Sequence, residues 1–406
     1  MNAFDQSRIW DDPAIRQALA WYREVQANRK PAKFRIAATI PIAISLRAAS
    51  EEALWDALED RTAAFLERWR AIKDGTARLA SQTEGPNLLD LCHALAGRML
   101  RHCNFCQWDC GVDRTGAGKL GACKLTDESR VSCYFPHRGE ELIYRGSHGS
   151  GTVFFTSCNM RCVFCQNGDI STDKDNGAVT DSRTLAAMAW RLRLGGCHNV
   201  NWVGGEPTIH LHRIVDAIRI LGNEAESLDG GSLDGLPEWA GYHGAFNVPM
   251  LWNSNFFMTV AAMRILRLLT DVWLPDFKFG PGRCAIGLSR TPRYWETVTR
   301  NLALLGQWGE DLTIRHLVMP NHVACCTEPI LEWLAETLPN APVNIMDQYH
   351  PDTFTDPASP RYQTRYEELA RRPSRAEIVQ SHRIARDNGL PFETVTRERR
   401  FLGIGD

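Results

Sequence analysis

FFTSCNMRCVFCQN, residues 154–167, places Cys158, Cys162 and Cys165 close together after a short apolar run. On a helix the i, i+4, i+7 spacing would line one face, as a buried stripe does. The strand-like residues ahead of it argue against that, as do the polar Asn159, Arg161, Gln166 and Asn167 packed between and after the cysteines. Thiolates also suit zinc, but a closed structural zinc site takes four ligands, so a fourth would come from elsewhere in the chain. A cubane 4Fe–4S cluster takes one thiolate per iron. Three cysteines at C-x3-C-x2-C leave one iron open to a substrate or cofactor.

Working outward, short apolar runs alternate with helical stretches from about residue 150 onward. GTVFFTS, HNVNWVGG, VPMLWNSN, DVWLPDFKF, DLTIRHLVMP and PVNIMDQY read as strands. Amphipathic segments such as DSRTLAAMAWRLRLGG and LHRIVDAIRILGN lie between them. This alternation predicts an α/β fold of parallel strands with right-handed crossovers, a partial (β/α)6 TIM-type barrel. Polar residues recur at the C-terminal ends of the strands: the cysteines, then GGEP, NSN, DFK, RH and QYH. That is the edge on which such folds assemble sites.

The expected organisation is a helical N-terminal region (1–100), a cysteine-rich metal knuckle (101–150), the barrel (151–356) and a C-terminal extension (357–406). Ser50 ahead of an apolar-periodic run, and the Asp and Pro that open DDPAIRQALAWYREVQ, are helix-start signals. The stretch between Gly222 and Pro249, rich in Gly, Asp and Ser, is long enough for an insertion or lid. The arginine-rich tail after Pro357 reads as a solvated face. No internal repeat stands out.

The formal net charge is −2 over 406 residues, with no charged tail, so bulk electrostatics points to neither a nucleic acid nor a membrane partner. The N-terminus lacks the pattern of a signal peptide, and the longest apolar run is too short to span a bilayer. A cytoplasmic protein is expected, and its 13 cysteines should be reduced. Clusters then point to metal, whereas the scattered Cys197, Cys284, Cys325 and Cys326 read as small buried hydrophobes.

CNFCQWDCGVDRTGAGKLGAC places Cys103, Cys106, Cys110 and Cys123 at C-x2-C-x3-C-x12-C, with glycines and few apolar residues between them. Four thiols on a loop-rich segment suit either structural zinc or an auxiliary 4Fe–4S cluster. Basic and aromatic residues do not concentrate around the knuckle, which argues against nucleic-acid binding.

C-x3-C-x-aromatic-C, with Phe164 as the aromatic, resembles the signature of the radical S-adenosylmethionine superfamily. The run GEELIYRGSHGSGTVFFTSCNMRCVFCQN is similar to the branch related to the pyruvate formate-lyase activating enzyme. The resemblance runs from about Cys103 to Pro351. It implies that Cys158, Cys162 and Cys165 bind a 4Fe–4S cluster whose open iron takes S-adenosylmethionine, with Phe164 near the adenine. It further implies that Gly204, Gly205 and Glu206 meet the methionine amino group and that Asn253 and Asn255 contact ribose or carboxylate. Asp276 and Lys278 match an Asp-x-Lys pair whose lysine meets the cofactor carboxylate, and Arg315 and His350 complete the polar rim. The branch commonly carries Thr-Pro-Thr-His where this chain has GGEPTIH.

The activity implied is radical hydrogen abstraction, from a glycine of a glycyl-radical protein as an activase does, or from a small molecule or peptide. A reducing partner such as flavodoxin or ferredoxin is implied as well. A zinc-bearing scaffold without chemistry is the reading from another class; it leaves GGEP, DFK and RH at strand ends as accidents.

Overall fold

The computed structural model describes residues 9–228 and 236–397. Residues 229–235, part of the stretch expected as an insertion or lid, lie outside the described residues, as do the outer ends of both terminal regions. In chain order the strands are β1 (Arg130–His137), β2 (Ser150–Phe155), β3 (Ala178–Val179), β4 (Val200–Gly204), β5 (Gly241–Tyr242), β6 (Ala245–Phe246), β7 (Met250–Ser254), β8 (Val272–Pro275), β9 (Ile314–Leu317) and β10 (Val343–Met346).

The six strands read from the sequence follow one another across the fold. β2, β4, β7 and β8 pair in parallel. β9 and β10 pair in parallel with each other and join β8 through single bridges at Trp273–Leu312 and Asp276–Arg315. Strands covered on both faces read as unbroken apolar runs. Trp202, Trp252 and Trp273 stand in register on β4, β7 and β8, all fully buried.

β1 and β3 lie outside the six expected strands. β1 pairs antiparallel with β2 and carries the two-residue β3 on its far side. Only Val131 of its residues is buried, as for a strand near the edge of a sheet, and its run RVSCYFPH is obscured by the cysteine-rich segment before it.

The N-terminal region folds as helices Pro13–Ala18, Ala20–Gln26, Lys33–Ala37, Glu51–Lys73 and Leu88–Arg101. Their starts are set locally: Asp12 caps the first, Ser50 caps the long helix, and Asn87 with Asp90 forms a capping box. This region shares one apolar core with the sheet. It also closes the end of the barrel opposite the site. The Trp21 indole donates to Asp271 Oδ1 and the Tyr22 N–H to Asp311 Oδ2, each at 2.9 Å, just ahead of β8 and β9. Lys33 pairs with Glu310, and both side chains are buried. Among the described residues no helix is long and apolar enough to cross a membrane.

Candidate functional site

The segment after β2 is a loop, so the three cysteines are not the stripe of a helix. Ser157 enters it with φ of +63°, a left-handed turn that directs the chain across the strand ends. The Met160 N–H points to Cys158 Sγ at 3.3 Å, the Asn255 amide to the same sulfur at 3.7 Å, and the Ser171 hydroxyl to Cys165 Sγ at 3.2 Å. Burial pushes the Cys158 thiol well up and Cys162 up to about 12. Such thiols stay protonated until a metal displaces the proton.

Two glycines hold β4 against this loop. A Cβ on Gly205 would lie 1.7 Å from the Ser157 carbonyl oxygen, and one on Gly204 would lie 2.2 Å from the Phe155 backbone. Gly204 also takes φ of +133°, which L side chains rarely adopt. The local demand for glycine thus comes from backbone packing of the end of β4 against the end of β2, for Gly204, and the cysteine loop, for Gly205.

The strand ends enclose a cavity of about 220 Å³. Cys158, Cys162, Phe164 and Cys165 line it, together with Gly204, Gly205, Glu206, Asn253, Asn255, Asp276, Lys278 and Arg315. Met160, Leu317 and Met346 supply apolar wall. Phe164 is edge-on to Phe279 at a centroid distance of 6.0 Å and tilted against Tyr349 at the same distance.

The charged wall is a connected network. Lys278 Nζ donates to Asp276 Oδ2 at 2.6 Å, and Arg315 Nε donates to Oδ1 at 2.7 Å. Arg315 further donates to Asn253 Oδ1 at 2.5 Å and to Glu140 Oε1 at 3.3 Å. Burial pushes the Asp276 carboxyl up, but the Arg315 and Lys278 charges outweigh it and hold Asp276 below the usual carboxylate range. Burial works against the Lys278 ammonium, and Asp276 overcomes that and holds it protonated. The Tyr294 hydroxyl accepts from the Lys278 N–H and donates to the Asp276 carbonyl, fixing the backbone between them.

Glu206 lines the cavity and is held by four hydrogen bonds. Oε1 accepts from the Thr208 N–H, the Thr208 hydroxyl and the Ser254 hydroxyl, and Oε2 accepts from the Asn255 N–H. This buried carboxylate ties β4 to β7, and part of Oε2's accepting capacity remains. Asn255 likewise spends Nδ2 on Asn159 Oδ1 at 2.7 Å, which braces the cysteine loop. His350 is not among the cavity-lining residues; its Nδ1 lies 3.0 Å from the Pro351 carbonyl oxygen.

Sequence reasoning did not single out Glu140 and Glu141. Both are buried beneath Arg315, Glu141 Oε2 at 4.0 Å. Their signal was the adjacent acidic pair in GEELIYRG, directly before an apolar turn. Three of the cysteines expected to be isolated, Cys284, Cys325 and Cys326, instead meet around His322. His322-x2-Cys325-Cys326 is local in sequence, but Cys284 comes from another loop, so spacing alone does not show the group of four.

The upstream knuckle lies directly behind the cysteine loop. The Trp108 indole donates to the Asn159 carbonyl at 2.7 Å, Ser157 Oγ to the Cys123 carbonyl at 2.9 Å, and Arg161 to the Ala122 carbonyl at 2.6 Å. Cys103, Cys106 and Cys123 are buried, Cys110 is partly exposed, and all four are free thiols. The buried Arg114 guanidinium approaches Cys103 Sγ at 3.9 Å.

A family model described as the Radical SAM superfamily matches residues 152–264, the segment from β2 through β7. Over 272 residues the chain is 38% identical to the uncharacterized protein MJ0674 of Methanocaldococcus jannaschii, an alignment covering 66% of this chain and 71% of that one. The chain belongs to the radical SAM superfamily. Among solved structures it is similar to Streptococcus suis SuiB bound to S-adenosylmethionine, at 13% identity and a TM-score of 0.38 over 58% of this chain and 48% of that one. It is also similar to native anSMEcpe with bound AdoMet and Kp18Cys peptide, at 14% identity and a TM-score of 0.36 over 50% of this chain and 52% of that one. The chain thus spans about half the length of these solved proteins.

Membership of the superfamily implies a 4Fe–4S cluster and S-adenosylmethionine. The residues present fit both. Three thiols and no fourth line the cavity, and the polar wall beside them carries two cations whose N–H groups are not all spent.

Proposed function

We propose that this protein is a radical S-adenosylmethionine enzyme that abstracts hydrogen from a substrate held at the cavity mouth. When bound, the cluster and cofactor supply one-electron reductive cleavage of the sulfonium, yielding methionine and a 5′-deoxyadenosyl radical.

The chain's own residues bind and orient. Cys158, Cys162 and Cys165 would hold the cluster, and Asn255 fixes the Cys158 side of the loop. Lys278, with one of its three donors on Asp276, offers the others to the cofactor carboxylate. Arg315, anchored by Asp276, Asn253 and Glu140, holds that wall rigid. Phe164, braced edge-on by Phe279 and at a tilt by Tyr349, offers adenine an aromatic wall. Gly204 and Gly205 bring the β4 backbone close, where its polar groups can meet the methionine end.

The substrate reading we favour is a glycine of a glycyl-radical protein, on the resemblance to activating enzymes; a small molecule or peptide is the alternative. Flavodoxin or ferredoxin would supply the electron, in a cytoplasmic setting. Cys103, Cys106, Cys110 and Cys123 are proposed to hold a second metal, zinc or an auxiliary cluster, and their contact with the cysteine loop supports a role close to the chemistry.

The observation that carries this reading is that, among the described residues, three thiols and no fourth open onto one cavity with Lys278 and Arg315. Anaerobic reconstitution should give about four irons at this site, one per cubane corner. The electron paramagnetic resonance signal of the reduced protein should change shape when S-adenosylmethionine is added. A signal indifferent to the cofactor would contradict the proposal.

A further inference from the structure

Beyond the strand ends that form the cavity, two loops converge on a second constellation. The loop after β8 runs through Phe279 and Gly280 to Cys284, which opens the helix Cys284–Ser289. The loop after β9 runs to His322 and a π-helical turn, Val323–Thr327, that carries Cys325 and Cys326. Such turns recur at functional sites because they re-aim side chains out of helical register. Here the turn points two adjacent cysteines and His322 at Cys284.

The distances decide what the group can hold. Cys284 Sγ lies 3.6 Å from Cys325 Sγ and 3.5 Å from His322 Nδ1. Cys325 Sγ lies 3.2 Å from His322 Nδ1 and 3.9 Å from Cys326 Sγ. All four ligand atoms lie within 4.8 Å of one another. A tetrahedral ion with Zn–S and Zn–N bonds of about 2.3 and 2.0 Å would set its ligands about 3.8 Å (S to S) and about 3.5 Å (S to N) apart. The four edges given above come within a few tenths of an ångström of those of a single ion. A cubane seats each thiolate on a different iron, and its sulfurs stand wider apart.

The surroundings are those of a ligand set. His322 is buried, and its other nitrogen, Nε2, lies 3.6 Å from Glu368 Oε1 with no hydrogen-bond partner. A carboxylate hydrogen-bonded to the far ring nitrogen fixes the tautomer of a metal-binding histidine, and the Glu368 carboxylate needs only a small approach to make that bond. Gly280 presses the first loop onto the turn: a Cβ there would lie 2.1 Å from the Cys325 carbonyl oxygen and 3.0 Å from Cys326 Cα.

We propose that Cys284, His322, Cys325 and Cys326 bind one tetrahedral divalent ion of the zinc class. This site is distinct from both cysteine motifs of the sequence. The ion would clamp the loop after β8, which carries Lys278, to the loop after β9, the strand of Arg315, and Phe279, in contact with Phe164, lies beside the clamped glycine. The inference stands on these four residues and does not depend on the radical chemistry.

Cys325 is the exposed member, so its reactivity reads out the site without a variant. The full-length protein, loaded with zinc, would be alkylated under reducing conditions with and without a zinc chelator, and each cysteine followed by peptide mass mapping. The expected result is that Cys325 resists alkylation until chelator is added. Equal rates in both conditions would overturn the proposal, as would protection relieved by excess reductant alone, which marks a disulfide. Cys325→Ser and His322→Ala should each lose about one zinc per chain with iron and sulfide unchanged, one ion per tetrahedral site. Unchanged zinc in both variants, or loss of iron in its place, would also overturn it.

Discussion

Asp276 joins the two cations of the cavity wall, with Arg315 Nε on one carboxylate oxygen at 2.7 Å and Lys278 Nζ on the other at 2.6 Å. The pair bridges the ends of β8 and β9, where the two sheets meet only through single bridges. Lys278→Ala removes a donor from the cofactor carboxylate without touching a cysteine. A hydrogen bond to a charged group contributes about 1.5–3 kcal/mol. S-adenosylmethionine affinity should therefore fall roughly ten- to hundredfold, since each 1.4 kcal/mol is about tenfold. Equilibrium dialysis beside an iron assay would show weaker binding at unchanged iron content.

Gly205→Ala should disable the cysteine loop from outside it. The added Cβ meets the Ser157 carbonyl oxygen at 1.7 Å, so backbone must move. Overpacking of this kind costs about 1–3 kcal/mol, and here the displaced segment carries the cluster ligands. Iron incorporation should drop in parallel with a lower melting temperature, as measured by iron assay and thermal denaturation. Full iron content in this variant would show that the loop tolerates the shift.

The Lys33–Glu310 pair should be the strongest single tie between the N-terminal helices and the barrel. Both side chains are 1% exposed, the Trp273 indole donates to Glu310 at 3.2 Å, and Lys33 sits over the Trp69 ring at 4.7 Å. Glu310→Ala leaves a buried ammonium uncompensated, at a cost of about 3–5 kcal/mol. Urea denaturation should show that loss, whereas a surface pair such as Arg61–Asp60 should contribute at most about 1 kcal/mol.

Asp311 gives a pH signature. Burial raises its carboxyl to about 7 in the folded protein, against about 3.9 for an unfolded aspartate. The fold therefore favours the protonated form. That contribution is complete below about pH 4 and is lost as pH rises through 7. Asp311→Asn keeps an acceptor for the Tyr22 N–H and cannot ionise. The urea midpoint of the unmodified protein should fall relative to that of Asp311→Asn between pH 5 and pH 8. A constant gap between the two would refute the assignment.

The cavity was legible because parallel strands deliver the residues after them to one edge, so CVFC, GGEP, WNSN, DFK and RH could be placed together without coordinates. Glu140 could not, since it precedes the barrel and reaches Arg315 only through the packing of β1 and the turn after it. Nor could the Cys284, His322, Cys325 and Cys326 group, because Cys284 lies on another loop and His322-x2-Cys325-Cys326 alone offers three ligands. The role of the N-terminal helices was equally hidden. Their amphipathic pattern shows that they pack, while the partners of Trp21, Tyr22 and Lys33 lie more than two hundred residues away. The glycines of GGEP also answer a demand that the sequence does not display, because each has a backbone contact that a Cβ would violate.

The most direct test of the central claim is the yield of 5′-deoxyadenosine from anaerobically reconstituted protein given dithionite and S-adenosylmethionine, beside the Cys158→Ala, Cys162→Ala and Cys165→Ala variants. The account predicts 5′-deoxyadenosine from the unmodified protein and none above background from any variant. Equal yields from unmodified protein and variants would contradict it.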